Sequence, residues 1–257
     1  MVSKQEPRVK VCFIDDIPLR TQNYLKNQIS NFKDIELFFH ENSEKETLVK
    51  HIADAHILVG WRPTREILDR AVNMKLFINP GAGIRHLLEM FRVLNEKRTV
   101  LLANGHGNAY FVAQHAVALL LTLMNKIILH HNWMRKGRWR TGDNEAASIP
   151  LRFRKVGLFG YGAINQKVHK MLAGFDIEFS ILRNHWEKQV TDLITPAKKF
   201  DFSQLHAFLK EVDILIIAVP ATSLTEGVIQ QNELKLLGTN GLVVNVARGE
   251  IIDEKSL

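Results

Sequence analysis

Cysteine is almost missing from this chain: Cys12 is the only one among 257 residues. One thiol excludes a disulfide framework and a zinc site built from cysteines. It fits a reducing compartment, so a cytoplasmic protein is expected. Long apolar runs are missing too. The most apolar stretch, Tyr110 to Met124, is interrupted by Gln114 and His115 and is shorter than the ~20 residues a membrane span needs. It predicts a buried helix and no membrane segment. The opening residues, MVSKQEPRVK, contain no apolar leader core. Low-complexity tracts and short repeats are absent, and 46% apolar residues against 24% charged exclude intrinsic disorder. The net charge of +7 is modest, and its basic residues are scattered, with small groups near Arg135–Arg140 and Arg152–Lys155. That distribution predicts a solvated basic surface and no nucleic-acid partner. None of the eleven histidines has the spacing of a metal ligand, so no metal site is expected.

What is present is an alternation of short apolar runs with longer amphipathic ones. Val9–Ile14, Ile35–Phe39, His56–Gly60, Leu76–Ile78 and Val100–Ala103 read as buried strands. Leu19–Gln28, Glu44–Ala53, Thr64–Ala71 and Arg85–Phe91 read as the helices between them. The alternation predicts a parallel α/β sheet. A turn-rich break, Asn104-Gly105-His106-Gly107-Asn108, suits a domain crossing. One long helix is predicted from Ala109 to Lys136, N-capped by Asn108 and ended by Gly137, then a loop from Trp139 to Pro150. A second series follows, with strands at Lys155–Phe159, Ile177–Leu182, Asp213–Val219 and Gly241–Val246 and helices at Ile164–Ala173, Phe202–Lys210 and Asn232–Leu237. The fold class expected is α/β, as two doubly wound parallel-sheet domains over residues 1–103 and 104–257.

Four strand ends carry the chemistry. Val156-Gly157-Leu158-Phe159-Gly160-Tyr161-Gly162-Ala163-Ile164-Asn165 reads as a strand, a Gly-x-Gly turn and a helix. Gly160 allows the tight turn, and Gly162 lets a pyrophosphate approach the amides of Ala163 and Ile164 at the helix start. Asn165 stands where a third glycine is usual. At the end of the next strand, Arg183 occupies the place where an acid would bind the ribose hydroxyls of NAD. An arginine there suits a 2′-phosphate, with His185 or Lys188 in support, so NADP(H) is favoured over NAD(H). Ala218-Val219-Pro220, continuing to Thr225, would lie under a cofactor. Val243-Val244-Asn245-Val246-Ala247-Arg248-Gly249 delivers Arg248 to a strand end, where it could hold a carboxylate or serve only structure.

Together these segments resemble the D-isomer-specific 2-hydroxyacid dehydrogenases, in glyoxylate/hydroxypyruvate reductase or phosphoglycerate dehydrogenase-like form. The family's Asn-x-Ala-Arg-Gly stretch matches the residues up to Arg248. Asn108 to Ala116 is similar to its Asn-x-x-x-Val-Ala-Glu-His helix start, with Gln114 replacing Glu. Pro80-Gly81-Ala82-Gly83 looks like its substrate loop, with Arg85 where an Asp is usual, and Arg135 to Trp139 resembles its Arg-x-Gly-x-Trp stretch. The resemblance implies a flavodoxin-like substrate domain at 1–103, lacking its return helix, and a Rossmann NAD(P)-binding domain at 104–257, lacking its last strands. It implies a cofactor held by Gly160, Gly162, Ala163, Ile164, Arg183, Val219, Pro220, Thr225 and Val246. It also implies Arg248 as a catalytic residue that clamps the carboxylate and carbonyl oxygen of a small 2-oxo or 2-hydroxy acid, with Gly81, Ala82 and Gly83 as substrate-binding residues, and a homodimer formed through the helix from Ala109 to Lys136. The family's catalytic glutamate and histidine would fall beyond Leu257. The expectation is therefore a C-terminally truncated relative with little turnover. A non-catalytic dinucleotide-binding scaffold, like the corepressors among the relatives, is the alternative. Trp61-Arg62 would either add a cation for a larger acid or be a packed tryptophan beside a surface arginine.

Overall fold

The computed structural model describes residues 8–39, 45–139, 146–188 and 192–257. The chain divides into two units, Met1–Gly107 and Asn108–Leu257.

The first unit runs β1 (Val9–Phe13), α1 (Leu19–Gln28), β2 (Ile35–Phe39), α2 (Lys45–Asp54), β3 (Ile57–Val59), α3 (Arg65–Arg70), β4 (Leu76–Asn79), α4 (Arg85–Lys97) and β5 (Leu101–Asn104). Its sheet is parallel, in the order β2-β1-β3-β4-β5, the flavodoxin-like doubly wound order. Thr64 starts α3 by accepting the Ile67 amide on its hydroxyl at 3.2 Å. Helix α4 passes the predicted end at Phe91 because Leu87, Phe91 and Leu94 keep one buried stripe going. Phe91 packs its ring 5.2 Å from that of Phe77 on the central sheet.

The second unit opens with α5 (Ala109–Met124) and α6 (Ile127–Met134). It continues with β6 (Lys155–Phe159), α7 (Ala163–Leu172), β7 (Glu178–Leu182), β8 (Ala197–Phe200), α8 (Leu205–Lys210), β9 (Ile214–Ile217), α9 (Gln231–Leu236) and β10 (Leu242–Asn245). Its sheet is also parallel, in the order β10-β9-β6-β7-β8. Counted within the unit this is 3-2-1-4-5, the Rossmann order. Alanines and leucines of α5 (Ala113, Ala116, Leu120) bury against Val168 and Leu172 of α7.

Three expectations are corrected. The single helix from Ala109 to Lys136 is two helices bent by 62°. Lys126 between them adopts φ 53°, and the Asn125 side chain donates to the Leu121 carbonyl at 2.9 Å, ending the first helix. Asn108 precedes α5 without a side-chain capping bond. The strand β8 was not foreseen, because Ala197-Lys198-Lys199-Phe200 is polar at both central positions; it lies at the sheet edge, where charge is favoured. Of the predicted loop from Trp139 to Pro150, residues 140–145 lie outside the described residues. No single helix among the described residues is long and apolar enough to cross a membrane.

Candidate functional site

Because every strand of the second sheet is parallel, all its carboxyl ends share one edge. Phe159 of β6 is in register with Ile217 of β9, and Ile217 with Asn245 of β10. Gly160 and Arg248 therefore both leave from that edge, on strands separated by one neighbour. At about 4.8 Å per strand, the two strand ends are about 10 Å apart.

The turn after β6 is shaped by its two glycines in different ways. Gly160 has φ +83°, and its amide donates to the Leu182 carbonyl at 2.8 Å. A Cβ there would stand 2.7 Å from the Ala218 carbonyl oxygen and 2.6 Å from the Val219 side chain. Gly162 is exposed, has an ordinary φ of −95°, and a Cβ there would meet nothing within 4 Å. It is the N-cap of α7 and supplies no side-chain cap. The first amides of the helix, at Ala163 and Ile164, are thus left to an outside acceptor, with the positive end of the helix dipole behind them. Gly162 leaves open the space above them.

Asn165 replaces the usual third glycine with a clamp. Its side chain is fully buried. Its amide nitrogen donates to the carbonyls of Phe159 (3.2 Å), Gly160 (2.7 Å) and Ile216 (3.3 Å), tying helix, turn and β9 together. Tyr161, between the two glycines, points inward. Its hydroxyl meets His169 Nδ1 at 2.8 Å, and His169 Nε2 meets the Thr195 hydroxyl at 2.8 Å. Burial lowers the His169 pKa to about 4, so the imidazole is neutral. Burial also pushes the Tyr161 phenol up, against the opposing pull of the Ile194 backbone and the Arg183 charge.

Arg183 follows β7, and its amide donates to the Phe200 carbonyl at 3.1 Å. The Trp186 indole N–H donates to that same carbonyl at 3.1 Å. His185 pairs with Glu187 at 2.9 Å, while the side chain of Lys188 lies outside the described residues. Beyond β9, the Thr225 hydroxyl donates to the Pro220 carbonyl at 2.7 Å and accepts the Thr222 amide at 2.9 Å, closing the Val219–Pro220 loop. Beyond β10, the Val246 amide bonds the Ile217 carbonyl at 3.1 Å. Asn245 accepts the Ala247 amide at 2.9 Å and donates to the Arg248 carbonyl at 2.8 Å. This staple presents the exposed Arg248 side chain, whose guanidinium donates to the Ala247 carbonyl.

In the first unit, the Gly81–Gly83 loop is pinned by two asparagine side chains. Asn79 donates to the carbonyls of Gly81 and Gly83, and Asn104 donates to that of Ala82. A trans peptide points its N–H opposite its C=O, so the Ala82 and Gly83 amides face away from the strands. A Cβ at Gly81 would stand 2.3 Å from the Trp61 ring, so a side chain there would have to displace that ring. The Trp61 side chain is half-exposed; its amide donates to Asp15 at 2.8 Å and its carbonyl meets His86 Nε2 at 2.8 Å.

Sequence reasoning missed the structural roles of Asn165, Tyr161, His169 and the Trp186 indole, and the asparagine pins at 79, 104 and 245. Only Asn245 had a readable signal, as the first residue of the Asn-x-Ala-Arg-Gly stretch.

The family model for the NAD-binding domain of D-isomer specific 2-hydroxyacid dehydrogenases matches residues 117–257. The chain belongs to this family of oxidoreductases. It is 26% identical over 268 residues to glyoxylate/hydroxypyruvate reductase HPR3 of Arabidopsis thaliana, covering all of this chain and 77% of that one. It is 26% identical over 216 residues to D-3-phosphoglycerate dehydrogenase of Methanocaldococcus jannaschii, covering 83% of this chain and 40% of the relative. Among solved structures, a D-isomer specific 2-hydroxyacid dehydrogenase from Xanthobacter autotrophicus Py2, in complex with NADPH and MES, superposes with a TM-score of 0.73. The two are 19% identical, over 97% of this chain and 75% of that one.

Proposed function

We propose that residues 108–257 bind a nicotinamide dinucleotide along the carboxyl edge of their sheet, and that the protein serves hydride transfer between this cofactor and a small 2-oxo or 2-hydroxy acid. The observation carrying the proposal is the open space over Gly162: a Cβ there would meet no protein atom within 4 Å, and the helix amides beside it lack a side-chain cap, which is what a pyrophosphate needs. Ala163 and Ile164 donate to the pyrophosphate, and Val219, Pro220, Thr225 and Val246 line the dinucleotide. Arg183 receives a 2′-phosphate, which makes NADP(H) the preferred form.

When bound, the nicotinamide supplies or takes the hydride. Arg248 holds the carboxylate of the acid by charge-assisted hydrogen bonds. The Ala82 and Gly83 amides form a second anion-binding turn, suited to a carboxylate oxygen. Residues 1–107 are the substrate domain in this reading.

The protein also forms a homodimer in this proposal, through α5 and α6. Tyr110, Phe111, Leu119, Leu123 and Ile128 are exposed on these helices, and exposed apolar area of this kind is more usual in an interface than on a free surface. Titration of the protein with NADPH and NADH, followed by fluorescence, tests the cofactor reading, and light scattering tests the dimer. Absence of binding by either dinucleotide overturns the central proposal.

A further inference from the structure

Two cations converge on one indole beside the end of β7. The Arg183 guanidinium carbon lies 5.5 Å from the centre of the Trp186 ring, and Lys199 Nζ lies 5.1 Å from it. The convergence is built into the sheet. Lys199 sits on β8 opposite Ile181, with Phe200 opposite Leu182, so the edge strand ends level with the strand that delivers Arg183. Side chains alternate along β8: Lys198 pairs with Glu211, while Lys199 turns to the other face, toward Trp186. The Phe200 carbonyl accepts both the Arg183 amide and the Trp186 indole N–H, which fixes the ring and the arginine backbone to the same point.

The negative face of the indole attracts each cation, and a phosphate dianion bound beside the ring would be attracted by both. His185 is paired with Glu187; among the described residues, Arg183 and Lys199 are the cations that address the ring.

We propose that Trp186 and Lys199 act with Arg183 as the residues that select the 2′-phosphate of the dinucleotide, Trp186 as the platform that orients the guanidinium and Lys199 as a second phosphate-facing cation. This rests on the NADP(H) reading above. The chemistry recognised is a ribose 2′-phosphomonoester, so an adenosine 2′,5′-bisphosphate fragment is the minimal probe and adenosine 5′-phosphate its control.

The test is binding, read by fluorescence titration or calorimetry on the 257-residue protein, with NADPH, NADH and the two adenosine probes. Lys199→Gln is expected to weaken NADPH and the bisphosphate about tenfold, a typical cost for losing a charge-assisted contact, while leaving NADH within about twofold. Trp186→Leu is expected to lower the NADPH-to-NADH affinity ratio about threefold or more, and Trp186→Phe, which keeps an aromatic face, is expected to retain most of it. A ratio unchanged in Lys199→Gln or in Trp186→Leu overturns the role given to that residue. Equal losses in the Leu and Phe variants overturn the role of the ring. Arg183→Gln separates the two levels of the argument. If it abolishes the preference while the other variants do not, the NADP(H) reading stands and this inference fails. If it too leaves the ratio unchanged, the NADP(H) reading itself fails.

Discussion

The hydroxyl of Tyr161 and Nδ1 of His169 lie 2.8 Å apart, with the imidazole fully buried and its ring centre 4.0 Å from that of Phe179. Tyr161 belongs to the glycine turn and His169 to the last turns of α7, so one neutral imidazole braces the turn from behind.

Burial of that imidazole makes stability depend on pH in a defined window. In the folded protein His169 takes up a proton only near pH 4, whereas in the unfolded chain it does so near 6.5. Between these values the unfolded state holds the extra proton, so the histidine's contribution is full above about pH 6.5 and is lost as pH falls toward 4. The shift corresponds to about 3 kcal/mol in total. Urea denaturation at steps from pH 7 to 4 is expected to give a steeper loss for the wild type than for His169→Gln, by up to about 1.4 kcal/mol per pH unit. Parallel curves would refute a buried neutral histidine.

Asn165 should tolerate substitution very unevenly. Removing its amide in Asn165→Gly costs the three donated bonds but restores a small residue, for an expected loss of about 1–2 kcal/mol. Asn165→Asp sets a carboxylate against the carbonyls of Phe159, Gly160 and Ile216, and a loss above about 3 kcal/mol is expected. Chemical denaturation of both variants checks this; an Asp variant as stable as the Gly variant contradicts the clamp.

Cys12 should be inert in the native protein. It lies in β1 at 1% exposure, and burial raises its thiol pKa to about 11, so almost no thiolate forms at neutral pH. Reaction with a coloured disulfide reagent is expected to proceed only as fast as the first unit opens, and to become immediate in denaturant. Fast labelling without denaturant would show that β1 is not packed as described.

Much of this architecture is legible in the residues because its signals are local. The turn glycines, the strand before them and the alternation of apolar runs each depend on neighbours in the chain. Alternation gave α1 (Leu19–Gln28), β2 (Ile35–Phe39) and β6 (Lys155–Phe159) to the residue. It failed where long-range packing decides. Strand β8 carries two lysines and is held by its partner β7, not by an apolar pattern. The break at Asn125-Lys126 sits inside an apolar stretch whose composition favours helix throughout, and only the left-handed Lys126 reveals it. Asn165 reads as a departure from a glycine pattern because its three acceptors come from β6, the turn after it and β9, the last of them 51 residues away. The meeting of Arg183, Trp186 and Lys199 is likewise a property of sheet register.

The most direct test of a dinucleotide seated at this turn compares its two glycines. Gly160→Ala forces a side chain into a left-handed backbone against the Ala218 carbonyl, and stability is expected to fall by about 1–3 kcal/mol whatever binds. Gly162→Ala meets no protein atom within 4 Å and should change stability by less than about 1 kcal/mol. The decisive measurement is the NADPH affinity of Gly162→Ala beside the wild type. A loss of about tenfold or more in a protein of unchanged stability is the predicted result, since the methyl would occupy the pyrophosphate's place; NADPH binding as tight as in the wild type would contradict it.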